Sequence, residues 1–404
     1  MQSQCLTSGV NRVFDFLVLW ILPIGLLLLL SSLFYVENRN VMHRLYYSFF
    51  SMPTLLLLCL RPKEIQELLR EPLIIAFLAF CIWAIMSVLW SPEPNRDSKF
   101  LKAPLQTFML FAGCGVMLHY RNELFKPILF SAAIIALVVC IDSLIAFAKG
   151  FKPGLSMRMI GGLGALDNPL LSSHVFGFFC VYWLCICIST KNLQVFLFSM
   201  PALAIMTLAI LATGSRMALA ALTLSALWIA FVGRNYRAII TITTYMLGTI
   251  SFLLFNPKII AERGSSYRFE LWGMTLQRII DQPFIGHGYN SKLSLIINNT
   301  ELMEPHSFIL SVLYYVGIIG LIPWIFMLGW GLHKGLKEQT HPLFLLTSAL
   351  LIYGIGAGLT EGGDILSRPK EHWFLLWIPL AMIAGLSIAK RRSSMLHMPA
   401  PSFL

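Results

Sequence analysis

Long apolar runs separated by short polar segments dominate the chain. They fall at about 14–34, 45–60, 73–90, 103–119, 126–148, 174–190, 194–212, 215–232, 238–255, 306–330, 342–360 and 372–389. Most approach the ~20 residues that a helix needs to cross a hydrocarbon core. A helix satisfies its backbone hydrogen bonds within its own segment, so each run predicts a helix. Pro53, Pro201, Pro323 and Pro379 lie inside runs and predict kinks rather than breaks. The expected fold is all-α and integral to a membrane, a single polytopic domain over residues 1–404 with about twelve transmembrane helices. The first run is too long for a cleavable signal and no small-residue cleavage pattern follows it, so it reads as an anchor. The longest connection, 256–305, lies between the ninth and tenth helices and alone has room for a site above the membrane.

Composition supports the same class. Of 404 residues, 57% are apolar and 12% charged, with a mean hydropathy of +0.75. A soluble domain carries about 25% charged residues. Thirty Lys and Arg against nineteen Asp and Glu give a net charge of +11. The basic residues stand singly or in short groups without an RNP-type or zinc-knuckle pattern, which favours a membrane lipid or anionic headgroup over nucleic acid. Every cysteine but Cys5 lies in an apolar run and no CxxC pair occurs, which argues against a disulfide framework or metal site. An even number of spans puts both termini on one side, and Lys390-Arg391-Arg392 argues that this side is cytoplasmic. The 256–305 loop then faces outward. Outward charge is Arg-rich and concentrated around 96–102, 216 and 258–292; a bound anion explains its retention there, and snorkelling to lipid phosphates is the alternative.

Three positions carry candidate chemistry. Arg216, in Thr213-Gly214-Ser215-Arg216, separates two runs with almost no loop, so its guanidinium sits at the membrane boundary. Charge at that depth needs a partner, either a ligand anion or a carboxylate such as Glu361 or Asp364. The planar fork of Arg suits a phosphate or pyrophosphate. Arg268 sits near the N-terminus of a helical stretch that opens with Ser265–Trp272 and reaches Gln282, which Ser265 or Ser266 can cap and whose Leu271, Trp272, Met274 and Ile279 form an apolar face. Its aromatic residues suggest that the helix lies along the membrane interface. His306 follows Glu304-Pro305, with Pro305 expected in the first helical turn, and a neutral imidazole there can accept a proton from a sugar hydroxyl. His174 and His287 compete for that role. Lys99, Lys102, Arg368 and Lys370 can add positive charge or simply be solvated. The Gly286–Asn290 turn follows no strand, so its GxG is not a dinucleotide site, and no P-loop, acidic metal pair, GxSxG or HExxH motif occurs. Chemistry here needs an activated substrate supplied by the membrane.

Gly214-Ser215-Arg216 opening one span, Tyr267-Arg268-Phe269-Glu270-Leu271-Trp272 early in the large loop, the Gly286–Asn290 turn and Pro305-His306-Ser307 entering the next span resemble, in order and spacing, the O-antigen ligase family. The resemblance covers most of the chain and extends to the membrane glycosyltransferases of the GT-C type. It implies transfer of a glycan from undecaprenyl pyrophosphate to lipid A-core oligosaccharide on the periplasmic side of the bacterial inner membrane, inverting, without metal or cofactor. It implies that Arg216 and Arg268 hold the pyrophosphate, with Tyr267, Lys99, Lys102 and Arg368 as further binding residues, and that His306 serves the acceptor hydroxyl. One departure is that Ser307 follows His306 directly, where the family often has a polar residue such as Asn between them. Related activities are O-antigen polymerisation and protein O-oligosaccharyl transfer. A lipid-linked glycan flippase is the rival of another class, but the halves show none of the repeat symmetry common in transporters.

Overall fold

A computed structural model describes residues 2–92, 99–150, 158–161, 164–233, 236–255, 267–297 and 300–395. Helices cover every apolar run. Among the described residues, seven stretches have the length and apolarity to cross a bilayer: Gly9–Phe34, Pro72–Trp90, Leu101–Gly150, Pro169–Ser189, Leu193–Thr213, Arg216–Gly233 and Phe308–Lys337. The 50-residue Leu101–Gly150 stretch is two helices joined by a tight turn at Asn122–Leu124. Ala238–Ser251 and Pro342–Gly358 are shorter apolar helices. The chain is thus a multi-pass helical membrane protein. Its outer faces carry exposed apolar side chains such as Phe231, Ile240, Leu247 and Leu254, which only hydrocarbon solvates without penalty. Pro169–Ser189 is the central helix, with 89% of its most apolar stretch buried.

The prolines act in several ways. Pro53 follows a π-helical turn over Tyr47–Ser51, as Pro23 follows one over Leu17–Ile21. The wider turn accommodates the missing N–H and the ring's clash with the carbonyl four residues back. Pro201 sits inside the Leu193–Thr213 helix. In Phe308–Lys337 the non-helical residue is Gly317 (φ 64°, ψ −169°), not Pro323. The freed groups there go to the 283–288 segment: the N–H groups of Ile318 and Ile319 donate to Pro283 O and Phe284 O, while those of His287 and Gly288 donate to Tyr314 O and Tyr315 O. A broken helix in hydrocarbon persists only where neighbouring protein satisfies it in this way. A Cβ at Gly317 would collide with Phe284 O, in a backbone region essentially confined to glycine. Gly317→Ala is therefore expected to lose at least about 1–3 kcal/mol, read as a lowered thermal midpoint in detergent; an unchanged midpoint would show that the segment docks without this constraint.

Polar contacts sort the connections into two ends that alternate along the chain. At one end Arg39 pairs with Asp167 (2.9 Å) and Glu371 (2.8 Å), Trp90 Nε1 donates to Gly286 O (3.0 Å) and the Tyr289 hydroxyl donates to Leu366 O (2.9 Å). At the other, Arg61 donates to Asn11 (2.9 Å), Arg392 to His119 O (2.9 Å), and Arg391 pairs with Glu71 (3.1 Å).

Two expectations about the large connection change. Its helix runs Arg268–Asp281 with Tyr267 at the N-cap in the left-handed region and no side-chain cap; Ser265 and Ser266 lie outside the described residues. Its inward face, Leu271 and Ile279, packs on Leu293, Leu295, Ile297 and Tyr314, while Phe269, Leu276 and Ile280 remain exposed as a second stripe. The fold is also not purely α: Leu295–Ile297 pairs antiparallel with Thr300–Leu302. Alternating burial of Leu295, Ile296 and Ile297 shows the period-two signal that a helix-oriented reading passes over.

Candidate active site

Arg268 is the first residue of its helix, turned into position by the left-handed Tyr267 (φ 54°). Its guanidinium donates to Glu361 Oε1 at 2.5 Å. The Arg268 side chain is 24% exposed and that of Glu361 3%, so the pair is largely dehydrated and the carboxylate has lost most of its water. Burial is the main reason that the Glu361 pKa is pushed up to about 7; the Arg268 charge opposes the rise, and Glu304 adds to it. Glu361 was foreseen only as a partner for Arg216; here it holds Arg268, while Asp364 pairs with Lys370 at 2.9 Å. The segment carrying these acids lies directly against the one entering the Phe308–Lys337 helix. Phe308 is packed so tightly that a Cβ at Gly358 or Gly362 would meet its ring, and one at Gly363 would meet Glu304.

His306 stands in that entering segment, half-buried. The helix begins at Phe308 with Ser307 as N-cap, so Pro305 lies before the helix rather than in its first turn. The reason is His306 itself, whose left-handed backbone (φ 49°) interrupts the helical path. Burial lowers the His306 pKa, and the nearby Arg268 charge lowers it further. The imidazole is therefore predominantly neutral at neutral pH and keeps a lone pair for a proton.

Arg216 opens the Arg216–Gly233 helix, immediately after Gly214 (φ 64°) ends Leu193–Thr213, and is partly buried. Arg158 donates its Nε–H to Thr213 O at 2.7 Å in that same turn, and its charge also acts on Glu361. Arg158 thus links the Arg216 turn to the Arg268–Glu361 pair. It was missed because it lies in an irregular stretch where no period or motif marks a residue.

The remaining candidates separate. His174, fully buried in the central helix, is within electrostatic reach of Arg268. His287 donates from Nε2 to Arg278 O (2.7 Å) and stacks on Tyr314 at 4.6 Å, a structural use of the ring. Tyr267 is 52% exposed. Lys102 is exposed, and the side chain of Lys99 lies outside the described residues. Arg368 and Lys370 line an adjoining cavity of about 420 Å³ with Arg39, His43, Tyr289 and Asp364.

Arginines, a buried carboxyl and a half-buried imidazole thus gather at one end of a multi-pass helical membrane protein, a set of side chains chemically able to hold an anion. Residues 201–325 match the family described as O-antigen ligase. Over 374 residues the chain is 37% identical to an O-antigen ligase of Pseudomonas aeruginosa, with 92% of each chain covered. The chain belongs to the O-antigen ligase family.

Proposed function

We propose that the protein is a metal-independent, inverting ligase that transfers a glycan from undecaprenyl pyrophosphate to lipid A-core oligosaccharide. It would work in the inner membrane with about twelve crossings. The end bearing Arg268 and His306 faces the periplasm, and the exposed Phe269, Leu276 and Ile280 stripe rests in the headgroup layer. The observation that carries the reading is the dehydrated Arg268–Glu361 pair beside a neutral His306, in a chain of this family.

In the reaction, an acceptor hydroxyl oxygen attacks the anomeric carbon. Its bond to carbon forms as the bond from carbon to the pyrophosphate oxygen breaks on the opposite face, which inverts the configuration. His306 takes the hydroxyl proton. Arg268 and Arg216 neutralise the charge that grows on the departing pyrophosphate, and in a water-poor site this stabilisation is strong. No nucleotide is needed, because the leaving group carries the driving force.

Glu361 regulates access to Arg268. When ionised it competes with the substrate anion; when protonated it releases the guanidinium. An incoming anion raises a neighbouring carboxyl's pKa further, so donor binding and Glu361 protonation favour each other. The diester pyrophosphate of the donor does not titrate near neutrality. Donor affinity is therefore expected to weaken by about tenfold from pH 6 to pH 8 as Glu361 ionises through about 7. The dependence should vanish in Glu361→Gln. Flat donor binding across that range in the unmodified protein, measured with labelled polyprenyl-pyrophosphate glycan, would remove Glu361 as the competitor.

The activity itself is tested with purified protein in liposomes holding the lipid-linked glycan and lipid A-core. A covalent glycan–core product is expected. Elongation of the lipid-linked glycan would make the protein a polymerase, and translocation without a new bond would make it a transporter.

A further inference from the structure

The cavity beside the proposed active site has its own cationic character. Its charged walls are Arg39, Arg368 and Lys370 against Asp364. Arg39 is occupied by Asp167, Glu371 and the carbonyl of Ala165, and Lys370 is held by Asp364. Arg368 differs: among the described residues it has no carboxylate partner, and its Nε is buried without a hydrogen bond. The neighbouring His43 is held in place by its Nε2, which donates to Pro369 O at 2.9 Å. A dehydrated guanidinium edge with no acceptor has lost water without replacement, and a ligand oxyanion restores the bond. At about 420 Å³ the cavity has the size of a small-ligand site.

We propose that this cavity binds a phosphate group carried by the acceptor glycolipid, with Arg368 as its principal ligand. The proposal rests on the ligase reading, because it needs an acceptor distinct from the donor. Arg368 and Lys370 lie on one chain segment and Arg39 on the Arg39–Tyr46 helix. Donors from different walls suit a tetrahedral group with three free oxygens better than a planar carboxylate. The position assigns the group to the acceptor. The connection following the Pro342–Gly358 helix presents Glu361 to Arg268 and Asp364 and Arg368 to the cavity. The donor's diphosphate thus belongs to one part of this connection and the second anion to another. Lys370 acts electrostatically on Glu304, two residues before His306, so the cavity lies within electrostatic reach of the segment that carries the imidazole.

The test is direct binding of purified lipid A-core, untreated or phosphatase-treated, to the full chain in detergent. Untreated acceptor is expected to bind about ten- to a hundredfold more tightly, as loss of hydrogen bonds to a charged group implies. Arg368→Gln should erase that preference, whereas Arg268→Ala should keep it. Equal binding of the two acceptors by the unmodified protein overturns the proposal whatever any variant does, and so does a preference retained in Arg368→Gln. Inorganic phosphate or phosphatidylglycerol vesicles that compete as well as lipid A-core, at equal phosphate, would reassign the cavity to a free anion or a bulk headgroup. Phosphate-dependent binding without glycan transfer would overturn the ligase reading alone; transfer without phosphate preference would overturn this site alone.

Discussion

Arg268→Ala is expected to insert into the membrane at the normal level and to lose on the order of 10²–10³ in transfer rate, the loss typical of removing one preorganised donor from developing negative charge. The effect should fall mainly on kcat, because charge on the pyrophosphate grows as the glycosidic bond breaks. Arg268→Lys should recover only part of the loss, since an ammonium lacks the planar fork that grips two oxygens. Truncation also leaves Glu361 buried without its cation, which drives that carboxyl toward its protonated form. Glu361→Gln in the same chain separates the two effects: if the double variant regains normal transfer, Arg268 serves only to neutralise Glu361. Arg216→Ala should behave similarly in rate, and normal capped lipopolysaccharide from either arginine variant would remove that residue from the mechanism.

His306→Asn is expected to lower kcat by about 10²–10⁴, the usual contribution of a positioned general base. Asn is the informative replacement because it tolerates the left-handed backbone that His306 adopts at φ 49°, so loss of activity is not loss of the local fold. The pH profile offers a second reading. A base acts in its deprotonated form, so activity falls as pH drops through its pKa. Burial and Arg268 lower the His306 value, so the acid limb of kcat/KM should lie below the ordinary imidazole range near about 6.5. The Asn variant should lack that limb. Retention of both rate and limb would transfer the role to another group, such as the buried His174.

Much of the architecture was legible because lipid imposes a one-dimensional rule. Each apolar run must be a helix, and every run is covered by one. Legibility ended where partners come from afar in the chain. The sequence points to a kink at Pro323, but the non-helical residue is Gly317, because a proline is visible in isolation whereas a glycine break depends on the 283–288 backbone that fills it. The Leu295–Leu302 hairpin was hidden for a related reason, since two three-residue strands carry too little period to stand out against apolar helices.

The candidate site divides along the same line. Arg216 and His306 were visible as costly polar residues at the ends of apolar runs, and Arg268 as a cation near the start of the large loop's helix, all properties of local sequence and of the membrane as solvent. That Glu361 clasps Arg268 and that Arg158 reaches the turn before Arg216 are pairings across 93 and 55 residues of chain, and that Arg368 faces a separate cavity with no carboxylate partner among the described residues is equally a matter of packing. Composition and hydropathy dictated a helical membrane protein and the kinds of side chain able to handle an anion at its edge. Packing alone chose which charge neutralises which, because the strength of an ion pair depends on separation and dehydration, and neither is a property of the residues taken one at a time.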